Sequence, residues 1–310
     1  MSYKYRFSII TPTYNRGDFL PNVYKDLVNQ TFKDFEWIVI GDVSCTDSTE
    51  EIMDDLISKH EIPIKFEKRS RMGLHNAWRT AYPLLEGQYC IRADDDDTYP
   101  KDMLEIFNRV WKFLEERNDY SEFWEIRGRC SRNNTIVGRK LSDCDFVSNY
   151  NDIVFRKRFG FTEMQSCWKS EVFKNEASVP ERFPYDGDTI NFPEHIMWSN
   201  AARKYKTYVI NDVVRIYNNT TNSLSKTKER SKPVCYYILL FHLSTLNSMH
   251  DYLLRYNLRL YFHEILALCF YNTKMYENAD QLLSYKIDKF LYRIFNPIFT
   301  IANAFKKNKK

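Results

Sequence analysis

Four consecutive aspartates, Asp94 to Asp97, stand directly after the short apolar run Tyr89–Ile91. After Pro100, apolar residues recur at steps of three and four, which predicts a helix. The acids therefore lie at the carboxyl end of a buried strand, where open α/β sheets bind ligands. Adjacent carboxylates repel each other, which raises their pKa values and costs stability. A divalent cation would remove this cost. Mg²⁺ binds through one or two carboxylates together with substrate phosphates. The competing interpretation is a solvated acidic loop without a ligand.

The elements that must position these acids alternate between strands and helices over the first hundred residues. Phe7–Ile10, Phe35–Ile40 and Ile64–Phe66 are apolar runs that predict strands, and each precedes a stretch with helical periodicity. Ser48 and Glu51 have the spacing of a capping box at the start of one helix. The alternation predicts an α/β fold with a mostly parallel central sheet flanked by helices. Loops after successive strands then converge on one edge.

Several classes of protein are disfavoured by the composition. There is no G-x-G-x-x-G and no G-K-[ST] motif, so neither a dinucleotide fold nor a P-loop is supported. The net charge of +4 is too small to indicate a nucleic-acid partner. The seven cysteines include no C-x-x-C pair, which disfavours a zinc site and a disulfide framework. Met1–Arg6 has no apolar segment typical of a signal peptide, so a cytoplasmic location is expected.

The second half of the chain has a less regular pattern. Thr207–Ile210 and Val213–Tyr217 predict two short strands, and the polar stretch Asn218–Lys232 predicts a linker. We expect one domain over residues 1–220 and a helical, aromatic-rich region over residues 221–310. The last segment combines an apolar helical face with a lysine-rich end. Such a helix can lie on an anionic membrane surface, here the inner face, or pack on its own domain. Both interpretations stay open, and nothing in the sequence indicates the oligomeric state.

Four motifs in order resemble those of family 2 glycosyltransferases. Ile9–Arg16, with the sequence IITPTYNR, is similar to the opening of that family. Asn29–Phe32 and Phe35–Ile40 are similar to its first helix end and second strand, and Asp42–Thr49 to its acidic loop. Asp94–Asp97 matches the D-x-D position with one further acid. The resemblance covers the first third to half of the chain.

This resemblance implies a GT-A fold, a nucleotide-sugar donor and a Mg²⁺ or Mn²⁺ ion. The expected donor is a UDP-sugar and the expected acceptor a glycan or a lipid-linked sugar, in cell-surface polysaccharide or lipopolysaccharide biosynthesis. The transferred group would be a hexosyl or N-acetylhexosaminyl unit. Gly41 and Val43 depart from the family's Asp-Asp-Gly-Ser loop, which leaves the nucleobase open. The metal is assigned to Asp96 with Asp94. The donor is assigned to Thr11, Tyr14, Asp42, Asn76, Asp94 and Asp95.

The resemblance also implies an inverting reaction, which needs a base for the acceptor hydroxyl. A carboxylate within hydrogen-bond reach can take that proton. The family places this acid at the start of a helix after the D-x-D, and Glu194 fits the position. Asp186 and Asp188 are the alternatives in the preceding loop. Glu194 can also be read as a first-turn acid that only favours the helix dipole.

Two other functions remain open at this point. A nucleotidylyltransferase also uses a nucleotide, Mg²⁺ and carboxylates on a similar sheet, but Thr11–Gly17 lacks the glycine-rich basic loop of that class. A catalytically inactive transferase-like module would bind sugar or membrane without turnover. The presence of Asp94, Asp96 and Glu194 speaks against such a module.

Overall fold

The fold was analysed in a computed structural model of the chain. It describes residues 3–69, 74–138, 142–155, 163–175, 194–218, 232–272 and 279–307. The predicted boundary between residues 220 and 221 and most of the predicted linker lie outside these ranges, as do Asp186 and Asp188.

The amino-terminal part alternates strictly between strands and helices, as the apolar periodicity predicts. In chain order the elements are β1 (Tyr5–Pro12), α1 (Leu20–Val28), β2 (Phe35–Asp42), α2 (Thr49–Ser58), β3 (Ile64–Arg69), α3 (Leu74–Ala81), β4 (Gly87–Arg92) and α4 (Met103–Glu115). Every residue of β2 is buried, which is typical of a parallel strand covered on both faces.

The remaining elements are shorter strands and helices followed by a helical carboxyl end. They are β5 (Phe123–Arg132), β6 (Thr135–Ile136), β7 (Phe146–Ser148), α5 (Tyr150–Phe155), β8 (Met164–Lys169), α6 (Ser170–Asn175), α7 (His195–Ala201), β9 (Lys206–Ile216), α8 (Lys232–Tyr256), α9 (Leu258–Asn272) and α10 (Lys286–Lys307). The two short strands predicted over residues 207–217 are one strand, β9.

The strands form one sheet with the order β3-β2-β1-β4-β8-β5-β9-β7, and β6 pairs with β5. The first four strands are parallel, which confirms the predicted α/β fold with its mostly parallel sheet. Beyond β4 the pairing is mixed, because β8 is antiparallel to both β4 and β5. β9 then runs parallel to β5. The sheet therefore changes character at the strand that precedes the four aspartates.

Alternate residues of the strands face two separate hydrophobic clusters. Trp37 and Val39 belong to the cluster with α1 and α4, whereas Ile38 and Ile40 belong to the cluster on the other face. That second cluster includes buried side chains of α8, α9 and α10, so the carboxyl-terminal helices pack against the same layer as α3 and α7. A ring stack of Trp168 on α7 residue Trp198, with centroids 4.6 Å apart, lies within it. Burial of each such large apolar side chain contributes about 1.5–3 kcal/mol.

Within the described ranges, none of the helices combines the length and the apolar character that crossing a bilayer requires. Pro297 lies inside α10, which continues past it to Lys307.

Candidate active site

Asp94 and Asp97 are paired with arginines from two different strands. Arg92, the last residue of β4, contacts Asp94 from Nε to Oδ1 at 2.8 Å and from Nη2 to Oδ2 at 2.9 Å. Arg215 of β9 contacts the same Oδ2 at 3.0 Å and donates from Nε to Oδ2 of Asp97 at 2.6 Å. Strands far apart in the sequence are thus joined through the acid cluster, defined here as Asp94–Asp97.

Asp95 and Asp96 are paired with the loop that follows β1. The Thr13 hydroxyl donates to Oδ2 of Asp95 at 2.9 Å, and Nη1 of Arg16 lies 3.3 Å from Oδ1. Nη2 of Arg16 lies 2.5 Å from Oδ2 of Asp96. Each of the four aspartates therefore faces a guanidinium group.

The chain itself supplies counter-charges to the acid cluster. Three guanidinium groups, from Arg16, Arg92 and Arg215, lie against four carboxylates. These guanidinium groups relieve part of the repulsion among the carboxylates, and no local pattern in the sequence indicates that the three arginines converge. Across the residues that the structure describes, no group of three or more His, Cys, Asp or Glu side chains has an arrangement suited to a metal ion.

The surroundings divide the carboxyl groups of the cluster into two kinds. Burial raises the pKa of Asp95 to about 7 and that of Asp97 to about 6. Burial acts in the same direction on Asp94, but the charges of Arg92 and Arg215 outweigh it and hold the pKa of Asp94 below its usual value. Asp94 is therefore ionised at neutral pH, whereas Asp95 titrates near it.

Glu194 immediately precedes α7, and Arg92 connects it to the acid cluster. Nη1 of Arg92 donates to Oε2 of Glu194 at 2.9 Å, and the Trp78 indole N–H donates to Oε1 at 2.6 Å. The Glu194 side chain makes no capping hydrogen bond to α7. Its carboxylate is thus directed at the site rather than at its own helix. One guanidinium, that of Arg92, contacts both Asp94 and Glu194.

Asp42 ends β2 as a buried and firmly held carboxylate. Ser44 donates to Oδ1 from its backbone N–H at 2.9 Å and from its hydroxyl at 2.6 Å. Arg69, at the end of β3, donates to Oδ2 at 3.0 Å. Burial raises the pKa of Asp42, but the bonds from Ser44 and the charge of Arg69 hold it below its usual value. An ionised acid is therefore fixed at the strand-end edge.

The loops after β1 and β2 are bound to each other. Asn15 has a φ of 49°, and its Oδ1 accepts the N–H of Thr46 at 2.8 Å. A Cβ on Gly17 would lie 2.7 Å from the Cα of Thr49, so this close approach requires glycine. Tyr14 lies in the same loop with 40% of its surface exposed. The two loops thus present Tyr14 and Asp42 on one edge.

Thr11 and Asn76 have partners of a different kind. Thr11 is fully buried, and its hydroxyl accepts the Trp37 indole N–H at 2.9 Å. Asn76 is buried in α3 and accepts from Nη1 of Arg79 at 3.2 Å. The hydroxyl that reaches the acid cluster is that of Thr13, two residues beyond Thr11.

Comparison with known proteins identifies the family of this domain. Residues 8–158 match the model of Glycosyl transferase family 2. This range contains the acid cluster, Arg16, Arg92 and Asp42. These residues form a domain of this family. The resemblance carried by the four motifs is thereby confirmed.

Two curated relatives of this chain are larger proteins. It is 36% identical over 109 residues to the cholesterol galactosyltransferase of Borreliella burgdorferi, an alignment that covers 35% of the chain and 30% of the relative. It is 34% identical over 196 residues to the poly(ribitol-phosphate) beta-glucosyltransferase of Bacillus spizizenii, with 62% of the chain and 27% of the relative covered. The chain thus spans less than a third of the length of these relatives.

Solved structures with low sequence identity confirm the GT-A fold. S. aureus TarS 1-349 in complex with UDP superposes with a TM-score of 0.61 at 16% identity, covering 98% of this chain and 92% of that one. The mannosyltransferase PcManGT of Pyrobaculum calidifontis, in complex with GDP-Man and Mn²⁺, gives 0.53 at 17% identity, covering 98% and 87%. At these identities the likeness establishes the fold alone.

Several contacts of this family 2 site were not predicted from the sequence. Arg16 stands within a recognised motif, and Arg92 is a charged residue at the end of an apolar strand, so both carried a signal. Thr13 and Trp78 are ordinary residues of a loop and a helix. Arg215 lies 118 residues after Asp97, and no local pattern connects the two.

Proposed function

We propose that this chain transfers a sugar from a nucleotide-diphosphate sugar to an acceptor hydroxyl with inversion at the anomeric carbon. The observation that carries the proposal is the shared guanidinium of Arg92, which holds Glu194 beside Asp94. A carboxylate able to act as base is thus adjacent to the acids that the family motif assigns to the donor. The acceptor is a glycan or a lipid-linked sugar of a cell-surface polysaccharide, in keeping with the poly(ribitol-phosphate) beta-glucosyltransferase of Bacillus spizizenii.

The donor is proposed to be a UDP-sugar that binds across the strand-end edge of the sheet. Tyr14 offers an exposed aromatic ring to a nucleobase, and Asp42 is an ionised acceptor at the end of the neighbouring strand β2. The TarS structure in complex with UDP supports the uridine choice, whereas the PcManGT structure contains GDP-Man. Thr11 and Asn76 are buried, so we propose that they support the donor site from within the fold rather than contact the donor directly.

Asp94 and Asp96 of the acid cluster are oxygen donors of the type that a divalent cation binds, although within the described residues the cluster by itself does not form a complete metal-binding group. Carboxylate oxygens suit Mg²⁺ or Mn²⁺, and Mg²⁺ needs only one or two of them when substrate phosphates and water complete its shell. Asp96 and Asp94 would hold the ion. When bound, it would stabilise the charge of the departing diphosphate. Arg16 and Arg215 supply positive charge at the same place from the chain itself.

Glu194 is proposed to take the proton of the acceptor hydroxyl as that oxygen attacks the anomeric carbon. Its Oε1 accepts a hydrogen bond from Trp78 and its Oε2 accepts one from Arg92, and each carboxylate oxygen has a second lone pair. The two bonds fix the plane of the carboxylate. This restricts the directions from which an acceptor hydroxyl can approach.

The test is a donor screen with purified protein, Mg²⁺ or Mn²⁺, and a panel of UDP- and GDP-sugars, which measures release of nucleoside diphosphate. We expect turnover of one donor. NMR of the product should show the transferred sugar in the anomeric configuration opposite to that in the donor. Glu194→Gln should lower kcat by about 10²–10⁴-fold. Asp96→Asn should lower turnover in a way that depends on the metal concentration.

Glu105→Gln is the matched control, because Glu105 is likewise an acid at the amino-terminal end of a helix, α4. It should retain full activity. If Glu194→Gln kept full turnover, the base assignment would fail and Asp186 or Asp188 would take its place. If no donor in the panel were turned over, the proposed transfer reaction would be rejected.

We also propose that α10 contacts an anionic membrane surface that carries the acceptor. Its predicted apolar face is split in the structure: Leu291 and Phe295 pack against the core, whereas Ile294 is exposed. Ile294 belongs to an exposed stripe with Ile287, Phe290 and Ile298, two of whose members are about 60% exposed (Phe290 60%, Ile298 59%). Residues 286–310 contain seven basic side chains and one acidic one. An apolar stripe within a basic segment suits an anionic bilayer.

Sedimentation with vesicles of phosphatidylcholine and phosphatidylglycerol tests this contact. Binding should weaken with salt. It should also weaken in the double variant Phe290→Ser/Ile298→Ser. Phe113→Ser, at a similarly exposed position on α4, is the control and should bind as the wild type does. Equal binding of all variants, or no binding at low salt, would reject the membrane role.

A further inference from the structure

A second cleft lies between the catalytic region and the carboxyl-terminal helices. Its volume is about 540 Å³, within the usual range for small-molecule sites of about 300–1,000 Å³. Residues at the start of α5, just after α7, along α8 and before α10 line it. The residues that carry the argument are Asn151, Asp152, Asp251, Tyr252, Tyr256 and Tyr285.

The lining combines aromatic rings with carboxylates. Tyr252 and Tyr256 lie with ring centroids 4.9 Å apart, and the Tyr252 hydroxyl donates to Oδ1 of Asp152. One face of Tyr285 is stacked on His250, so its ring is held in place. A pyranose presents C–H groups that pack on aromatic rings and hydroxyls that bond to carboxylates. The cleft therefore offers what a sugar ring requires.

Asn151 provides an independent sign of a missing partner. Its side chain is 4% exposed, and its amide nitrogen donates to the Ser199 carbonyl at 3.5 Å. Its amide oxygen has no hydrogen-bond partner among the residues that the structure describes. Buried polar atoms of native proteins are nearly all paired, because an unpaired one costs free energy. The oxygen is closed to solvent in this structure, so a ligand hydroxyl would supply the absent donor after the Asn151 side chain turns towards the cleft.

The cleft lies at the opposite end of α7 from the proposed base. Ala202, which lines it, follows Glu194 by eight residues, or about 12 Å at about 1.5 Å per residue along a helix. We propose that this cleft binds a sugar unit of the acceptor glycan remote from the unit that reacts at Glu194. This inference rests on the proposed function, and it gives the carboxyl-terminal helices a part in acceptor selection.

The test is direct binding without donor, by calorimetric titration of a panel of soluble oligosaccharides. The panel holds three- to six-unit chains of neutral hexoses, N-acetylhexosamines and uronic acids. At least one chain should bind the wild type. Tyr256→Ala should weaken that binding by about tenfold or more, since the ring contributes much of the contact surface.

Phe262→Ala is the matched control, because Phe262 has the same 43% exposure as Tyr256 and lies on the neighbouring helix α9. It should bind as the wild type does. Absence of binding across the panel, or undiminished binding by Tyr256→Ala, would overturn the proposal. Binding lost in Glu194→Gln but kept in Tyr256→Ala would place the sugar at the transfer site and leave the proposed function standing. Binding in the cleft without turnover of any donor would support the cleft proposal and reject the proposed transfer reaction.

Discussion

The acid cluster and the carboxyl-terminal helices both bury carboxylates, but they neutralise them with different cations. At the strand ends the partners are guanidinium groups, which keep their charge at every accessible pH. In α8 and α9 the Glu264 carboxylate lies 2.6 Å from His242 Nδ1. His250 Nδ1 lies 3.0 Å from the Asp288 carboxylate of α10. An imidazole is charged only when it is protonated.

This difference separates a binding site from a structural contact. Asp288 is fully buried, its pKa is raised by burial, and it also accepts the hydroxyl of Tyr261. It can therefore hold a proton and stay within the helix packing without a permanent charge. Asp94 of the acid cluster does not take up a proton in this way, because Arg92 and Arg215 stabilise its ionised form. Permanent charge is retained where a charged ligand is expected.

The largest effect should follow removal of Arg215. Arg215 contacts both Asp94 and Asp97, and its side chain is only 6% exposed. Arg215→Met removes this shared partner. Loss of one member of a buried ion pair costs about 3–5 kcal/mol. Urea denaturation should show a free energy of unfolding reduced by that amount.

Arg109→Met is the control for this substitution. Arg109 is 64% exposed and lies 3.4 Å from Asp212, so its loss should change stability by no more than about 1 kcal/mol. Equal effects of the two variants would show that the acid cluster does not depend on Arg215.

A smaller loss is expected in the carboxyl-terminal helices. His250→Phe keeps a ring beside Tyr285 but removes the hydrogen bond to Asp288. Because Asp288 can take up a proton instead, we expect a loss of about 1–3 kcal/mol in the free energy of unfolding. His263→Phe, at an exposed position near Glu264, should be nearly neutral. A loss as large as that of Arg215→Met would remove the distinction between the two regions.

The last comparison concerns the pH dependence of stability. The pKa of Asp95 is about 7 in the folded chain and about 3.9 in an unfolded one, so the folded state binds more protons between these values. Its contribution to the free energy of unfolding therefore falls as pH rises from about 4 to about 7. Asp95→Asn should remove that part of the decline. Denaturation in EDTA at several pH values measures it, and identical slopes for both proteins would contradict the assignment.

The sequence predicts the parallel half of the sheet because its signals are local. Buried runs such as Phe35–Ile40 and the helical periodicity between them specify each unit, and crossover rules order the units. Insertion of β8 between β4 and β5 depends on pairing between distant segments, which leaves no local pattern. For the same reason the run of acids identifies Asp94 as a candidate site residue, whereas no local pattern indicates its partner Arg215. Glu194 was reached through family resemblance, and its contact with Arg92 emerged only in three dimensions.

The single guanidinium of Arg92 has a thermodynamic consequence for the proposed reaction. It contacts Asp94, assigned to the donor, and Glu194, assigned to the acceptor. A ligand that changes the ion pair between Asp94 and Arg92 also changes the positive charge next to Glu194. Linkage makes such an effect reciprocal, so the affinities for the two substrates are coupled by one free energy. The coupling between donor and acceptor binding is then a property of this one side chain.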